Sequence, residues 1–182
     1  MHLLKRVIHH SIEEKNLTPD HPKSFTRIAT RAIVIKNNKI LLMFTERYND
    51  YSLPGGGVDQ GEALTDGLKR ELSEETGALN INNINPFGLY EEYRPHNSQK
   101  HFPDCTIMHM LSYCYVCDIA DQLGENKLED YEVKNGMQVR WVSIDDAIQH
   151  NNETMKNDIK QGLSIQRETY LLQKIKAQIT NN

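Results

Sequence analysis

Three glutamates, Glu71, Glu74 and Glu75, stand at i, i+3 and i+4 in the stretch LPGGGVDQGEALTDGLKRELSEETGA, residues 53–78. On a helix advancing about 100° per residue, that spacing gathers the three carboxylates on one patch. Like charges so placed repel one another, and partial burial raises the cost, so a cation should answer them. Clustered carboxylate oxygens with water are the ligand set of hard divalent ions, Mg²⁺ or Mn²⁺, the ions commonly used to hold phosphates. The plainer reading of a glutamate-rich helix is a solvated face with pairs such as Arg70 with Glu74, each worth about 0.2–0.5 kcal/mol. That reading leaves the threefold repulsion unexplained.

The elements that must place these groups follow from the same stretch. Pro54 and the glycines Gly55, Gly56 and Gly57 suit a loop and fit poorly in a strand or helix. Good helix formers then run from Glu62 to Thr76, and Gly77 supplies the stop. On this predicted helix Leu64, Leu68 and Leu72 border the carboxylate patch, whereas Thr65, Asp66, Lys69, Ser73 and Thr76 lie opposite. The glutamates are therefore expected on the core side.

At these residues the chain resembles the Nudix hydrolases of the MutT-like type. Their signature, G-x5-E-x7-R-E-U-x-E-E-x-G-U with U aliphatic, is matched by Gly56, Glu62, Arg70, Glu71, Leu72, Glu74, Glu75, Gly77 and Ala78, the last a small choice for an aliphatic. The resemblance implies an α/β fold, an α/β/α sandwich around a mixed sheet. It also implies a Mg²⁺- or Mn²⁺-dependent pyrophosphohydrolase that cleaves the phosphoanhydride of a nucleoside diphosphate linked to another moiety. Carried over by position, Glu71, Glu74 and Glu75 hold metal with the Gly55 carbonyl, Arg70 orients the glutamates, and Glu62 tethers loop to helix. Glu71 is the favoured general base. Gln138 stands near Trp141 where related sequences often have an acid, and Glu132, upstream, is kept as an extra metal ligand or base.

Two other readings share the fold. A non-catalytic nucleotide-sensing module would usually carry a damaged box or an added DNA-binding domain, and neither is seen. A prenyl-diphosphate isomerase would need a catalytic cysteine and glutamate, for which Cys105 is available.

The rest of the chain bounds the setting. Its 182 residues, 38% hydrophobic and 25% charged, suit one domain with a substantial core. A net charge of −4 gives no basic field for nonspecific nucleic-acid binding, so the expected partner is a small-molecule nucleoside diphosphate derivative. No secretory signal and no bilayer-length apolar run appears, which points to the cytoplasm and away from membranes. Three cysteines are too few for a disulfide framework; Cys114 and Cys117, at odd spacing in a β-rich run, should face opposite sides of a strand rather than form a metal pair. The family resemblance leaves a homodimer open.

In chain order, residues 1–16 carry a stripe of Leu4, Val7, Ile8 and Ile12 that suggests a helix, and 17–24 reads as a connector. The organisation expected is therefore an N-terminal helical extension and connector over 1–24, a Nudix domain over 25–152, and a C-terminal helix over 153–182 packed on that domain. From Phe25 two apolar strands meet at Asn37–Asn38, a hairpin signal. Arg27 and Arg31 share a strand face, open between phosphate contacts and solvent; family members use this sheet for the nucleoside part, which favours a substrate role. Tyr48 and Tyr51 flank the approach to the glycine loop, where an aromatic could stack on a base, with packing beneath the loop as the alternative; Tyr51 is the favoured candidate. Further strands are predicted over 86–93, 105–119 and 137–142, with Lys100 and His101 on the loop between the first two. Ser143 is the expected N-cap of a helix over 144–151, and a last helix is expected from about Glu153 to Gln178.

Overall fold

The computed structural model describes residues 1–13, 17, 23–96, 104–157 and 162–179. Lys100 and His101 lie outside the described residues. A mixed four-stranded sheet runs in the order β1 (Leu3–Ile8), β6 (Asn82–Pro95), β7 (Ile107–Asp118), β2 (Ser24–Ile33). The β6–β7 pair is antiparallel, while β1 pairs β6 and β2 pairs β7 in parallel. A smaller antiparallel sheet is built on β4 (Lys39–Thr45), which pairs β3 (Ile35–Lys36), β5 (Asp50–Ser52) and β8 (Met137–Val142).

The sheets are joined where one apolar run changes partners. Between β2 and β3 the chain passes through Val34, whose carbonyl accepts a hydrogen bond from Leu41 N–H. The turn that follows has positive φ at both Asn37 and Asn38, the requirement of the type I′ hairpin expected from that pair.

Helix α1 (Leu64–Thr76) covers one side, burying Leu68 and Leu72 among Ala32, Val34, Leu41, Tyr115, Cys117 and Ile119. Helices α3 (Ile144–Asn157) and α4 (Ile165–Ile179) cover the other, where Ala147, Leu171, Leu172 and Ile175 meet Ile33, Leu42, Tyr51, Leu53, Tyr90 and Cys114. The expected α/β/α layering is thus formed, and Cys114 and Cys117 sit in different layers. Both thiols are held above their ordinary pKa chiefly by burial, as befits packed rather than reactive cysteines. A short helix, α2 (Asp130–Lys134), precedes β8.

The N-terminus corrects the helical expectation. Residues 3–8 form a strand because the free edge of β6 offers backbone partners: Leu89 N–H donates to His2 O, and His9 N–H donates to Tyr93 O. Leu4 and Val7 of the expected stripe pack on the core, but from a strand and not from a helix. The C-terminal boundary also moves. The helix capped by Ser143 runs on to Asn157 across the expected boundary at 152, and the last helix begins at Ile165 rather than Glu153. No described helix is long and apolar enough to cross a membrane.

Candidate active site

The glycine loop is fastened along the edge of β2. Thr30 N–H donates to Gly56 O, Ala32 N–H to Pro54 O, and Val58 N–H to Ile28 O, so residues 54–58 behave as an irregular extra strand. Gly55 is required by this approach: its φ is +133°, and a Cβ there would collide with the Thr30 carbonyl. A Cβ at Gly56 would meet the Glu71 carboxylate, the flexible end of a side chain that can shift.

Helix α1 then delivers its charged face to that loop. It ends as expected at Gly77, in the left-handed conformation with φ 72°. Glu75 is 5% exposed, and its Oε2 accepts the Gly55 N–H at 2.6 Å. Burial drives its pKa up to about 8, against the pull of the Gly55 N–H and Arg31; Glu132 and Glu71 add repulsion. Glu71 is half-buried and its pKa is also raised by burial, with Arg70 opposing the shift. Glu74 is the most open of the three.

Arg70 ties the elements together. Its Nη1 donates to Glu71 Oε1 at 2.9 Å and Glu74 Oε2 at 3.3 Å, and Nη2 donates to the Gly57 carbonyl at 2.9 Å. Nε and Nη2 grip both oxygens of Glu62, each at 3.0 Å, while Glu62 Oε2 also accepts the Asp59 N–H. The hydrogen bonds from Arg70 hold Glu62 down to a pKa of about 2. Glu62 thus joins loop to helix, the arrangement expected of it.

A cavity of about 210 Å³ opens beside Glu75, lined by Arg31, Asp50, Gly55, Glu132, Arg167 and Glu168 among others. The structure therefore brings Glu132 to Glu75. Glu132 is buried in the first turn of α2, where it forms a reciprocal capping pair with Glu129 and accepts the Tyr131 hydroxyl. Arg31 is also drawn in: its Nη1 donates to the Gly55 carbonyl, the oxygen expected to face metal. Arg27 is exposed, its guanidinium near Gly57.

Tyr51 is not brought to the site. Its ring packs in the core against Phe44 and His150, so packing replaces stacking for Tyr51, whereas Tyr48 lines the cavity. Strand alternation accounts for this, since β5 pairs with β4 and turns Tyr51 toward α3. Cys105 does not line the cavity. Gln138 is bonded to Glu46 and Arg140.

The contributions of α4 and of Asp50 were missed. Burial raises the pKa of Asp50 to about 6, with Glu168 adding repulsion. The sequence did carry one signal for α4: Glu168 falls on the apolar stripe of Ile165, Leu171, Leu172 and Ile175, a place where an unpaired carboxylate would be expensive.

As they stand, no three His, Cys, Asp or Glu side chains among the described residues converge closely enough to bind one metal ion. Two of the three carboxylates expected to hold metal, Glu71 and Glu74, are engaged by Arg70, and the Gly55 carbonyl by Arg31. The donor set nevertheless fits a hard divalent cation. It consists only of oxygens, and it includes a carboxylate, Glu75, whose burial leaves its negative charge under-compensated.

The loop, the box helix and the sheet that carries them form one continuous unit, and the family model described as NUDIX domain matches residues 26–163. The chain belongs to the Nudix family. An ADP-ribose pyrophosphatase from Methanocaldococcus jannaschii is 40% identical over 57 residues, which is 29% of this chain and 32% of that protein, so the match spans about a third of the relative's length. Among solved structures, a nudix hydrolase family member from Chromobacterium violaceum aligns with TM-score 0.50 and 21% identity, covering 87% of this chain and 81% of that one. A MutT NUDIX hydrolase from Burkholderia pseudomallei aligns with TM-score 0.47 and 19% identity over 66% and 85% of the two chains.

Proposed function

We propose that the chain hydrolyses the phosphoanhydride of a nucleoside diphosphate joined to a second moiety, with ADP-ribose as the first substrate to test, and that it does so with Mg²⁺ or Mn²⁺. The observation that carries this reading is the deep placement of Glu75 between the glycine loop and a polar cavity, with Glu71 half-buried against Gly56 on the same helix. The name of the archaeal relative supports the choice of ADP-ribose.

Glu71, Glu74 and Glu75 would hold the metal, with the Gly55 carbonyl once Arg31 leaves it and with Glu132 as a further oxygen donor. The bound ion would neutralise diphosphate charge and lower the pKa of water. Glu71 serves as general base: the water oxygen bonds to phosphorus, its proton passes to Glu71, and the anhydride P–O bond breaks to leave two phosphate-bearing products. Its raised pKa suits that task, because a carboxylate nearer neutrality accepts a proton more readily. Arg70 holds Glu71 and Glu74 in orientation, and Arg31 and Arg27 supply positive charge toward the phosphates.

The test is an assay of the purified chain with Mg²⁺ or Mn²⁺ against ADP-ribose, nucleotide sugars, dinucleoside polyphosphates and oxidised deoxynucleoside triphosphates. Metal-dependent formation of two phosphate-bearing products is the expected result. Saturable nucleotide binding without turnover would favour the sensing module instead.

A further inference from the structure

Helix α4 begins beyond the family-matched stretch, residues 26–163, yet it places a charged pair against the glycine loop. Glu168 is 1% exposed, and its two oxygens serve three elements. Oε2 accepts the backbone N–H of Leu53, the residue that leads into the glycine loop, at 3.0 Å. Oε1 accepts Arg167 Nε and lies 2.9 Å from Arg167 Nη2. The same oxygen stands 3.8 Å from Nε of Arg31, a buried donor with no hydrogen-bond partner among the described residues.

Arg31 is therefore hydrogen-bonded through Nη1 to the Gly55 carbonyl, while its Nε faces Glu168 at ion-pair separation, beyond hydrogen-bond reach. Two buried guanidiniums, Arg31 and Arg167, share this corner; burial and the nearby Arg167 disfavour the charged form of Arg31, and Glu168 opposes them.

A purely structural reading would make Glu168 a staple for α4. That task is already covered: Leu171, Leu172 and Ile175 sit in the core, Arg167 Nη1 donates to Glu92 Oε1 at 2.6 Å, and the Tyr170 hydroxyl donates to Leu4 O. What Glu168 adds is specific to the site, namely a backbone bond to the start of the loop and a negative charge 3.8 Å from Arg31 Nε.

We propose that Glu168 is a positioning residue for the hydrolysis, fixing Arg31 and the entry to the glycine loop so that Arg31 meets the substrate diphosphate. This rests on the pyrophosphohydrolase reading above. Glu168 acts through Arg31 and through Leu53, and takes no proton in the reaction.

The experiment compares Glu168→Gln, Arg31→Met, the double variant and Tyr170→Phe. Glutamine keeps an acceptor for Leu53 N–H and removes the charge that faces Arg31. In Glu168→Gln, kcat/KM on the best wild-type substrate is expected to fall about 10- to 100-fold, with KM carrying a share of the loss. In the Arg31→Met background the same change should cost no more than about twofold, because the two residues act as one unit. Tyr170→Phe, which loosens the same helix elsewhere, should stay within about twofold of wild type. Full additivity of Glu168→Gln with Arg31→Met, or an unchanged kcat/KM in folded Glu168→Gln, overturns the proposal.

A second readout needs neither turnover nor a stable variant. In ¹⁵N NMR spectra of the wild-type protein, the Arg31 Nε–H should exchange with solvent far more slowly than exposed arginines; exchange at the exposed rate overturns the proposal. If the wild type hydrolyses nothing, the functional reading fails on its own, and the exchange rate still reports whether Arg31 Nε is sequestered in this corner.

Discussion

Replacing Arg70 with lysine probes the frame of the site most sharply. The guanidinium spans the two oxygens of Glu62, the Gly57 carbonyl, Glu71 and Glu74 at once, which a single ammonium on a flexible stem cannot do. Hydrogen bonds to charged groups contribute about 1.5–3 kcal/mol each in favourable settings. Arg70 is about a third exposed, so solvent screening cuts that figure, and a net loss of about 2–3 kcal/mol for the variant is the expected scale. For a chain of this size that corresponds to a fall in Tm of roughly 4–12 °C. Glu71 and Glu74 lose their common partner in the same step, so turnover should drop by about 100-fold or more. Thermal unfolding and steady-state hydrolysis of the same preparation report both effects. A lysine variant with unchanged Tm and activity within about threefold of wild type would refute the view that one guanidinium couples loop and helix.

Other perturbations separate the layers of the account. Gly55→Ala forces a side chain into a φ of +133° and against the Thr30 carbonyl, so it should cost about 2–4 kcal/mol in denaturant titration and distort the loop. Tyr51→Leu, which removes the ring, should lower stability by about 1–3 kcal/mol yet leave the KM of the folded protein unchanged, because the ring packs against Phe44 and His150 instead of meeting substrate; a large rise in KM would restore the stacking role. Asp50 makes a pH-dependent contribution of known sign. Its folded pKa of about 6 exceeds the ordinary 3.8, so its share of stability is present below about pH 4 and is lost as the pH rises through about 6. Relative to wild type, Asp50→Asn should therefore become more stable by on the order of 2–3 kcal/mol between pH 4 and pH 7, read from urea midpoints across that range.

The parts of this protein that sequence reasoning reached are those whose information is local. Glu71, Glu74 and Glu75 could be placed together on one side of a helix, with Glu75 reaching the core, because helix period and the flanking leucines agree. The Asn37–Asn38 turn could be placed because few residues accept two successive positive φ values. The alternation that separates Cys114 from Cys117 is a property of any strand. What escaped depends on distant partners. Residues 3–8 carry a helical stripe but answer the open edge of β6, more than eighty residues away. Arg31 and Tyr51 sit on strands whose faces are assigned only when both sheets and three helices are assembled. Asp50, Arg167 and Glu168 become neighbours of the glycine loop only through the docking of α4, and the lone clue was a carboxylate on its apolar stripe.

The most direct test of the central claim is the initial rate of ADP-ribose cleavage, followed by ³¹P NMR over a Mg²⁺ titration, for wild type and Glu75→Gln. The account predicts no cleavage in chelator, saturable activation by Mg²⁺ in the wild type, and a rate lower by about 100- to 1,000-fold in the variant. Cleavage that persists in chelator, or that survives Glu75→Gln at the wild-type rate, would contradict it.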